Sequence, residues 1–533
     1  MTVDAWLRAA IADAEGRGLP ELKPLLESLA LETGALRAAN LPHDTGGPPP
    51  AHRPDSAAED GGSVAPPRPA AAMMTIEEFG RKLRAGEVSA ADMTDECLNR
   101  IDSDNARLNA FILVMADEAR RQAREADEEL AAGTDRGPLH GVPVSIKDLI
   151  DVRGTATTAA SRVREGHRAE RDAPLIAHLR QAGAVIVGKT NLHEFAFGTT
   201  NEDSAFGPAR NPYDTTRSPG GSSGGSAASL VAGMALATVG TDTGGSIRIP
   251  AAACGTVGLK PSFGEVSVEG VVPLSPTLDH VGPLARTVRD AWYLYQALIG
   301  RRTLRPLTAL PVGGLRLAVA RGYFCDLLDD EVRARFDAGL DALRAAGARI
   351  DETDIPHAGL TAPIYLHVVL GEAAAYHATM LETMPERYTP AVRLRLEMAR
   401  YVLAEDYVRA QAGREVLRRE IDQALSGYDA LILPTLPIPA PPLGATTVRL
   451  GSKEELVRSV MLRLTQLFNL TGQPAISLPC GRTAAGLPCG LQLVGTRMQT
   501  APLVRAALAV EDVVGQDTPL MSPRVEDNPI WGF

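Results

Sequence analysis

Two glycine-serine segments carry residue types from which a nucleophile and an anion-stabilising turn can be built. The first, Arg217-Ser-Pro-Gly-Gly-Ser-Ser-Gly-Gly-Ser-Ala-Ala-Ser-Leu-Val-Ala-Gly233, opens on glycines and serines and becomes a small-residue apolar helix. Standing alone it would read as a flexible linker. The second, Val239-Gly-Thr-Asp-Thr-Gly-Gly-Ser-Ile-Arg-Ile-Pro250, reads as a strand end running into a Gly-Gly-Ser turn. Several backbone N–H groups can converge on one point in such a turn, which is what a developing oxyanion needs.

Two competing chemistries also use glycines this way. A phosphate-binding loop requires G-x-x-x-x-G-K-[ST], and no Lys directly follows either cluster. The nucleophile elbow of α/β hydrolases requires G-x-S-x-G immediately after a strand. Gly220-Gly-Ser-Ser-Gly224 satisfies the pattern, but Asn211 to Pro219 before it is turn-like and carries two prolines.

Together with other segments, these residues resemble the amidase signature enzymes. The resemblance rests on a Lys ending an apolar run in Gly141-Val-Pro-Val-Ser-Ile-Lys-Asp148, on Gly220-Gly-Ser-Ser-Gly-Gly225, and on Thr241-Asp-Thr-Gly-Gly-Ser-Ile-Arg-Ile-Pro250 followed by Gly255-Thr-Val-Gly-Leu-Lys-Pro261. Phe468-Asn-Leu-Thr-Gly-Gln-Pro-Ala-Ile476 and Gly486-Leu-Pro-Cys-Gly-Leu-Gln492 extend it, so that it runs from about Ile76 to Val510. It implies an α/β/α sandwich around a mixed central sheet, with Ser246 as nucleophile, Ser222 as proton relay and Lys147 as base. It further implies a cis peptide preceding Ser222 and an oxyanion hole made by the backbone amides of Thr243, Gly244, Gly245 and Ser246. Asp242 and Arg248 are expected to orient the loop by hydrogen bonds, and Ser223 and Ser226 to cap or brace the following helix.

The physical logic agrees with these roles. A Ser hydroxyl is a poor nucleophile until a neighbour takes its proton, and a Lys takes it only if burial holds the amine neutral. Taken singly, Lys147 reads as a solvated strand-end charge and the two serines as ordinary turn residues. Their joint spacing, 75 residues from Lys147 to Ser222 and 24 from Ser222 to Ser246, favours the catalytic reading. Cys254, placed at an Ala-rich helix start, reads as an inert apolar group.

No cofactor and no metal is expected: the ten His are dispersed without H-E-x-x-H, and the five Cys lack a C-x-x-C pair. The expected substrate is a small amide, anilide or carbamate. The alternative is the A subunit of a tRNA-dependent amidotransferase, resembled closely around Phe206-Gly-Pro-Ala-Arg-Asn-Pro212. Those proteins carry an acid seven positions before the Asn-Leu-x-Gly motif, where this chain has Leu462, and they usually start near the equivalent of Met74. An acyl-side wall is expected between Ala362 and Tyr401, from Ile364, Tyr365, Val368, Val369, Tyr376 and Tyr401.

The elements that must position these residues are legible in outline. Residues 1–40 read as a helical hairpin, 41–72 as a Pro/Gly-rich linker and 73–533 as the catalytic domain. Thr75 to Asn109 predicts two amphipathic helices, the second capped near Ser89 with Asp92 in its first turn. Val142 to Ile146, Ala184 to Val187 and Leu431 to Leu433 have the composition of buried strands, with a helix from Leu175 to Gln181. The region from about Thr303 to Gly427 reads as mostly helical, with one strand near Leu315 to Ala318.

The chain has 533 residues, 45% of them hydrophobic, enough for a large core. A net charge of −11 offers no broad basic surface for nucleic acid. The longest membrane-like run, Leu230 to Gly240, falls short of the roughly 20 apolar residues of a spanning helix, so no membrane partner is expected. The scattered cysteines suit a reducing cytoplasm. A homodimer is left open.

Overall fold

The structure, a computed structural model, describes residues 1–39 and 74–515. Its strands are β1 (Phe111–Val114), β2 (Pro143–Lys147), β3 (Val185–Thr190), β4 (Ala237–Asp242), β5 (Val257–Lys260), β6 (His280–Ala285), β7 (Arg316–Ala320), β8 (Arg349–Thr353), β9 (Ala430–Pro434), β10 (Thr447–Leu450), β11 (Lys453–Leu456), β12 (Ala475–Arg482) and β13 (Pro488–Val494). Eleven of them form one sheet in the order β1-β3-β2-β4-β6-β5-β12-β13-β9-β7-β8, and β10 and β11 form a separate hairpin. β2 lies parallel between β3 and β4, β9-β7-β8 are parallel, and β4-β6, β6-β5, β5-β12, β12-β13 and β13-β9 are antiparallel. Helices flank this mixed sheet, which makes the expected α/β/α sandwich.

Continuous apolar strands belong in the middle of such a sheet, because both faces are covered. Every residue of β2, β3, β4, β6, β9 and β13 is buried. The sequence-predicted strands are all present, and so is the helix at Pro174–Gln181. The second amphipathic helix, Ala90–Leu108, starts on a full capping box between Ser89 and Asp92. Within the region expected to be mostly helical, one strand goes beyond the expectation: β8, with the half-exposed pattern of Arg349-Ile-Asp-Glu-Thr353, sits at the sheet edge, where polar residues are tolerated and the apolar signal is weak.

The N-terminal hairpin consists of helices Val3–Gly16 and Lys23–Ala38. Leu22, Leu26, Leu29 and Leu36 are buried, and the hairpin docks on helices Thr361–Thr383, Pro390–Ala399 and Ala404–Ala424. Polar contacts fix it there. Arg37 Nε donates to Asp406 Oδ1 at 2.6 Å, Thr33 Oγ1 lies 3.0 Å from His367 Nε2, and Trp6 Nε1 donates to the Tyr401 carbonyl at 3.2 Å. The expected linker at 41–72 lies outside the described residues. Among the described residues, the segment Ala358–Thr383, rather than Leu230 to Gly240, is the apolar run with enough length to cross a bilayer, and 56% of its 18-residue apolar window is buried inside the fold.

Candidate active site

Three neighbouring pieces of backbone build the site. β2 delivers Lys147 at its C-terminal end, β4 leads into the turn 243–247, and the loop before helix Gly224–Val231 delivers Ser222. The Gly221–Ser222 peptide is cis, and no strand precedes Ser222 directly, unlike in the elbow of α/β hydrolases.

Lys147 is completely buried. Its Nζ donates to Ser222 Oγ at 2.8 Å and to Thr241 Oγ1 at 2.8 Å. Burial disfavours the ammonium and brings Lys147 down to about 7, although the carboxylates of Asp242 and Asp279 pull the other way. Asp148 points elsewhere, because successive strand side chains face opposite sides. It forms an ion pair with Lys189 at 2.7 Å and accepts from the Thr158 amide at 3.0 Å. Asp148 therefore does not hold Lys147 in its charged form.

Ser246 adjoins this pair. The Ser223 amide donates to the Ser246 carbonyl at 3.3 Å, tying the cis loop to the turn. Ser246 is 5% exposed, against 0% for Ser222. The backbone N–H groups of Thr243, Gly244, Gly245 and Ser246 donate to no described atom. Such a run of unengaged amides beside a serine can hold an oxyanion. Gly245 has φ +144°, and a Cβ there would lie 2.3 Å from Thr465 Oγ1, so the turn requires glycine.

A buried polar network holds the turn in shape. Asp242 Oδ2 accepts from the Ile247 amide at 3.1 Å and from Arg248 Nε at 3.1 Å, and its Oδ1 accepts from Arg248 Nη2 at 3.0 Å. Arg248 Nη2 also donates to Asn469 Oδ1 at 2.7 Å and Arg248 Nη1 to Gln492 Oε1 at 3.2 Å, while Asn469 Nδ2 donates to the Asp242 carbonyl at 2.9 Å. Desolvation would raise the Asp242 carboxyl, but the Arg248 guanidinium holds it well below the usual carboxylate range. Removing one partner of a fully buried pair leaves an uncompensated charge, which costs about 3–5 kcal/mol. Asp242→Asn is therefore expected to lower unfolding stability by that order. Urea denaturation followed by circular dichroism checks it, and a midpoint equal to that of the parent protein would contradict the role of the pair.

The remaining sequence-selected residues fall out as follows. Ser223 does not cap the next helix by a side-chain bond: its Oγ donates to the Thr241 carbonyl at 3.2 Å, because the helix starts too close to β4 to leave that hydroxyl free. Ser226 Oγ lies 2.8 Å from Thr190 Oγ1, bracing the helix on β3. Cys254 ends helix Arg248–Cys254 rather than starting it, since the turn into that helix already lies at Ser246, and its Sγ donates to the Pro219 carbonyl at 3.3 Å. All five cysteines are free and buried.

Sequence reasoning missed Thr241 as partner of Lys147, and Asp279, whose carboxylate accepts from Thr243 Oγ1 at 2.5 Å. It quoted Asn469 and Gln492 within motifs but gave them no role. Their recurrence beside glycines late in the chain was the available signal.

A cavity of about 360 Å3 lies beside the turn. Tyr365 and Leu462 line it, and a Cβ on Gly244 would meet Tyr365 Oη at 2.4 Å and Leu462 Cδ2 at 3.0 Å. The expected segment, Ala362 to Tyr401, contributes Ala362, Tyr365, Leu366, Leu370, Arg395 and Met398 to the lining, and of the residues singled out within it Tyr365 alone lines the cavity. Ile364, Val368 and Val369 turn into the core instead, and Tyr401 bonds the N-terminal hairpin through Asp13. The reason is helical phase: a helix buried on several faces offers few of its apolar residues to a cavity.

The amidase family profile matches residues 92–504. An amidase of Pseudomonas putida is 41% identical over 453 residues, covering 82% of this chain and 95% of its own. The A subunit of the glutamyl-tRNA(Gln) amidotransferase of Koribacter versatilis is 36% identical over 477 residues, covering 82% and 98%. Among solved structures, an amidase superposes with a TM-score of 0.79 at 40% identity, covering 83% of this chain and 100% of its own. The peptide amidase of Stenotrophomonas maltophilia gives 0.71 at 30% identity, covering 84% and 98%. With that profile over most of its length and these relatives alongside, the chain belongs to the amidase signature family, hydrolases of carbon–nitrogen bonds other than peptide bonds.

Proposed function

We propose that the protein is a free-standing serine amidase that cleaves a small amide, anilide or carbamate through an acyl-enzyme, with Ser246 as nucleophile, Ser222 as relay and Lys147 as base. The observation that carries this reading is the 2.8 Å hydrogen bond from a fully buried Lys147 to Ser222, next to the turn that bears Ser246. Neutral Lys147 takes the Ser222 proton as Ser222 takes that of Ser246. Ser246 Oγ then adds to the substrate carbonyl, and the amides of 243–246 hold the resulting oxyanion. The proton returns through Ser222 to the leaving nitrogen as the carbon–nitrogen bond breaks. Water repeats the sequence on the acyl-enzyme, releasing the acid and restoring Ser246.

Fluorophosphonate labelling followed by peptide mass spectrometry tests the assignment: the adduct is expected on Ser246, and an adduct on Ser222 alone would overturn it. A hydrolysis panel of aliphatic amides, anilides, aryl carbamates, glutamine and biuret reads the substrate class.

The second reading, the A subunit of an amidotransferase, draws on relatives such as the 38% identical protein of Roseiflexus. Against it stands Leu462, an apolar side chain at the cavity floor where a glutamine ammonium would need a counter-charge. Glutamine is therefore expected to turn over at least about 100-fold more slowly than the best anilide, from the cost of an unpaired buried charge. Equal kcat/KM values for the two would reverse the preference. The free, buried cysteines support a cytoplasmic enzyme. The division into a hairpin at 1–40, a linker at 41–72 and a catalytic domain at 73–533 is part of the same proposal.

A further inference from the structure

The cavity beside the oxyanion turn has one wall from outside the family match. Helix Lys23–Ala38 contributes Leu25, Ser28, Leu29 and Glu32 to its lining, residues at the spacing i, i+3, i+4, i+7 that occupies a single helix face. That match begins at residue 92, so this helix lies wholly outside it. The lining also includes Leu366 and Leu370, on the helix against which Lys23–Ala38 packs, and Tyr365 with Leu462, which abut Gly244.

The three arginines of the cavity are engaged with protein carbonyls. Arg395 and Arg458 both donate to the Phe197 carbonyl, at 2.8 and 3.1 Å. Arg463 donates to the Tyr323 carbonyl at 2.9 Å and stacks 3.8 Å from the centre of the Tyr323 ring. The N-terminal helix faces this space with two leucines, Leu25 and Leu29, and two polar residues, Ser28 and Glu32, and the contacts of Arg37 and Thr33 hold it on the rest of the fold.

We propose that helix Lys23–Ala38 is the outer wall of the acyl-side cavity, and that Leu25 and Ser28 limit the length of the apolar acyl group accepted. This rests on Ser246 forming the acyl-enzyme. On this proposal a chain growing from the carbonyl carbon over Gly244 runs along Tyr365 and Leu462, which abut Gly244 and line the cavity, and meets the helix face. Each methylene that finds apolar surface adds about three- to fourfold in affinity, up to the length at which the chain reaches the wall.

The test uses the intact protein and a series of alkyl fluorophosphonates from methyl to dodecyl, in which the alkyl group on phosphorus stands for the acyl chain. Second-order labelling rates are measured, with the adduct located by mass spectrometry, for the wild type, Leu25→Ala and Ser28→Trp. Ser28 is exposed and Leu25 half-buried, so neither change removes a core residue, and thermal melts verify folding. Wild-type rates are expected to climb with length to an optimum. Ser28→Trp is expected to lower the decyl-to-methyl rate ratio at least tenfold and move the optimum to shorter chains. Leu25→Ala is expected to move it to longer ones. Folded variants that keep the wild-type length profile, with Ser246 still labelled, would overturn the wall alone. Absence of Ser246 labelling by every probe would overturn the acyl-enzyme, and the wall with it.

Discussion

A Ser246→Ala variant is expected to retain its fold and lose at least about 10^4-fold in kcat, because residues acting as one catalytic unit fail together when the nucleophile is removed. Ser246 is the serine of the turn that is tied to the cis loop beside the Lys147–Ser222 hydrogen bond. On the proposed mechanism its removal deletes the bond-forming atom and leaves the amides of 243–246 and the Asp242–Arg248 pair untouched. Ser222→Ala keeps the proposed nucleophile but severs its proposed route to Lys147, so it is expected to lose most of the activity as well, with slow labelling of Ser246 remaining. Steady-state kinetics with an activated ester, together with melts, separate these outcomes. Near-parental kcat in Ser246→Ala would eliminate the serine mechanism.

The second large effect is that of pH and Lys147. With the amine brought to about 7 by burial, kcat/KM is expected to rise from pH 6 and level off above pH 8, since the base works only when neutral. Lys147→Ala is expected to reduce kcat by about 10^2- to 10^4-fold, the range for a general base, and to abolish that rise. Profiles of wild type and variant from pH 6 to 10 decide it, and identical shapes would assign the limb to another group. The same shift has a stability counterpart. Between about 7 and the ordinary lysine value of 10.5, the unfolded chain binds the proton that the folded chain has given up. The contribution of Lys147 therefore favours folding increasingly as pH rises through that window and is least favourable below it.

The parts of this protein that depend on short stretches of chain were determined by the sequence itself. The Ser89–Asp92 capping box, the apolar strands β2, β3 and β9, and the glycines of the turn before Ser246 are local features, set by backbone sterics and hydrophobic pattern. Motif spacing likewise singled out Lys147, Ser222 and Ser246 as the proposed catalytic set, and the structure brings Lys147 and Ser222 together beside the turn that bears Ser246.

Tertiary structure decided what depends on distant residues meeting. Arg248 finds Asn469 across 221 residues and Gln492 across 244, and Lys147 finds Thr241 across 94. The direction of Asp148, away from Lys147 and paired with Lys189 on the neighbouring strand β3, was likewise a matter of tertiary structure. The expected segment, Ala362 to Tyr401, does line the cavity, through Ala362, Tyr365, Leu366, Leu370, Arg395 and Met398, but of the residues singled out within it only Tyr365 faces that space, because the rotation of a helix buried on many sides is set by its neighbours rather than its own period. The N-terminal helix gave no sequence sign of reaching the site. Its amphipathic face says that it packs, but which body it packs against, and that Leu25 and Ser28 look into the cavity, follow from burial against helices more than 300 residues away in the chain.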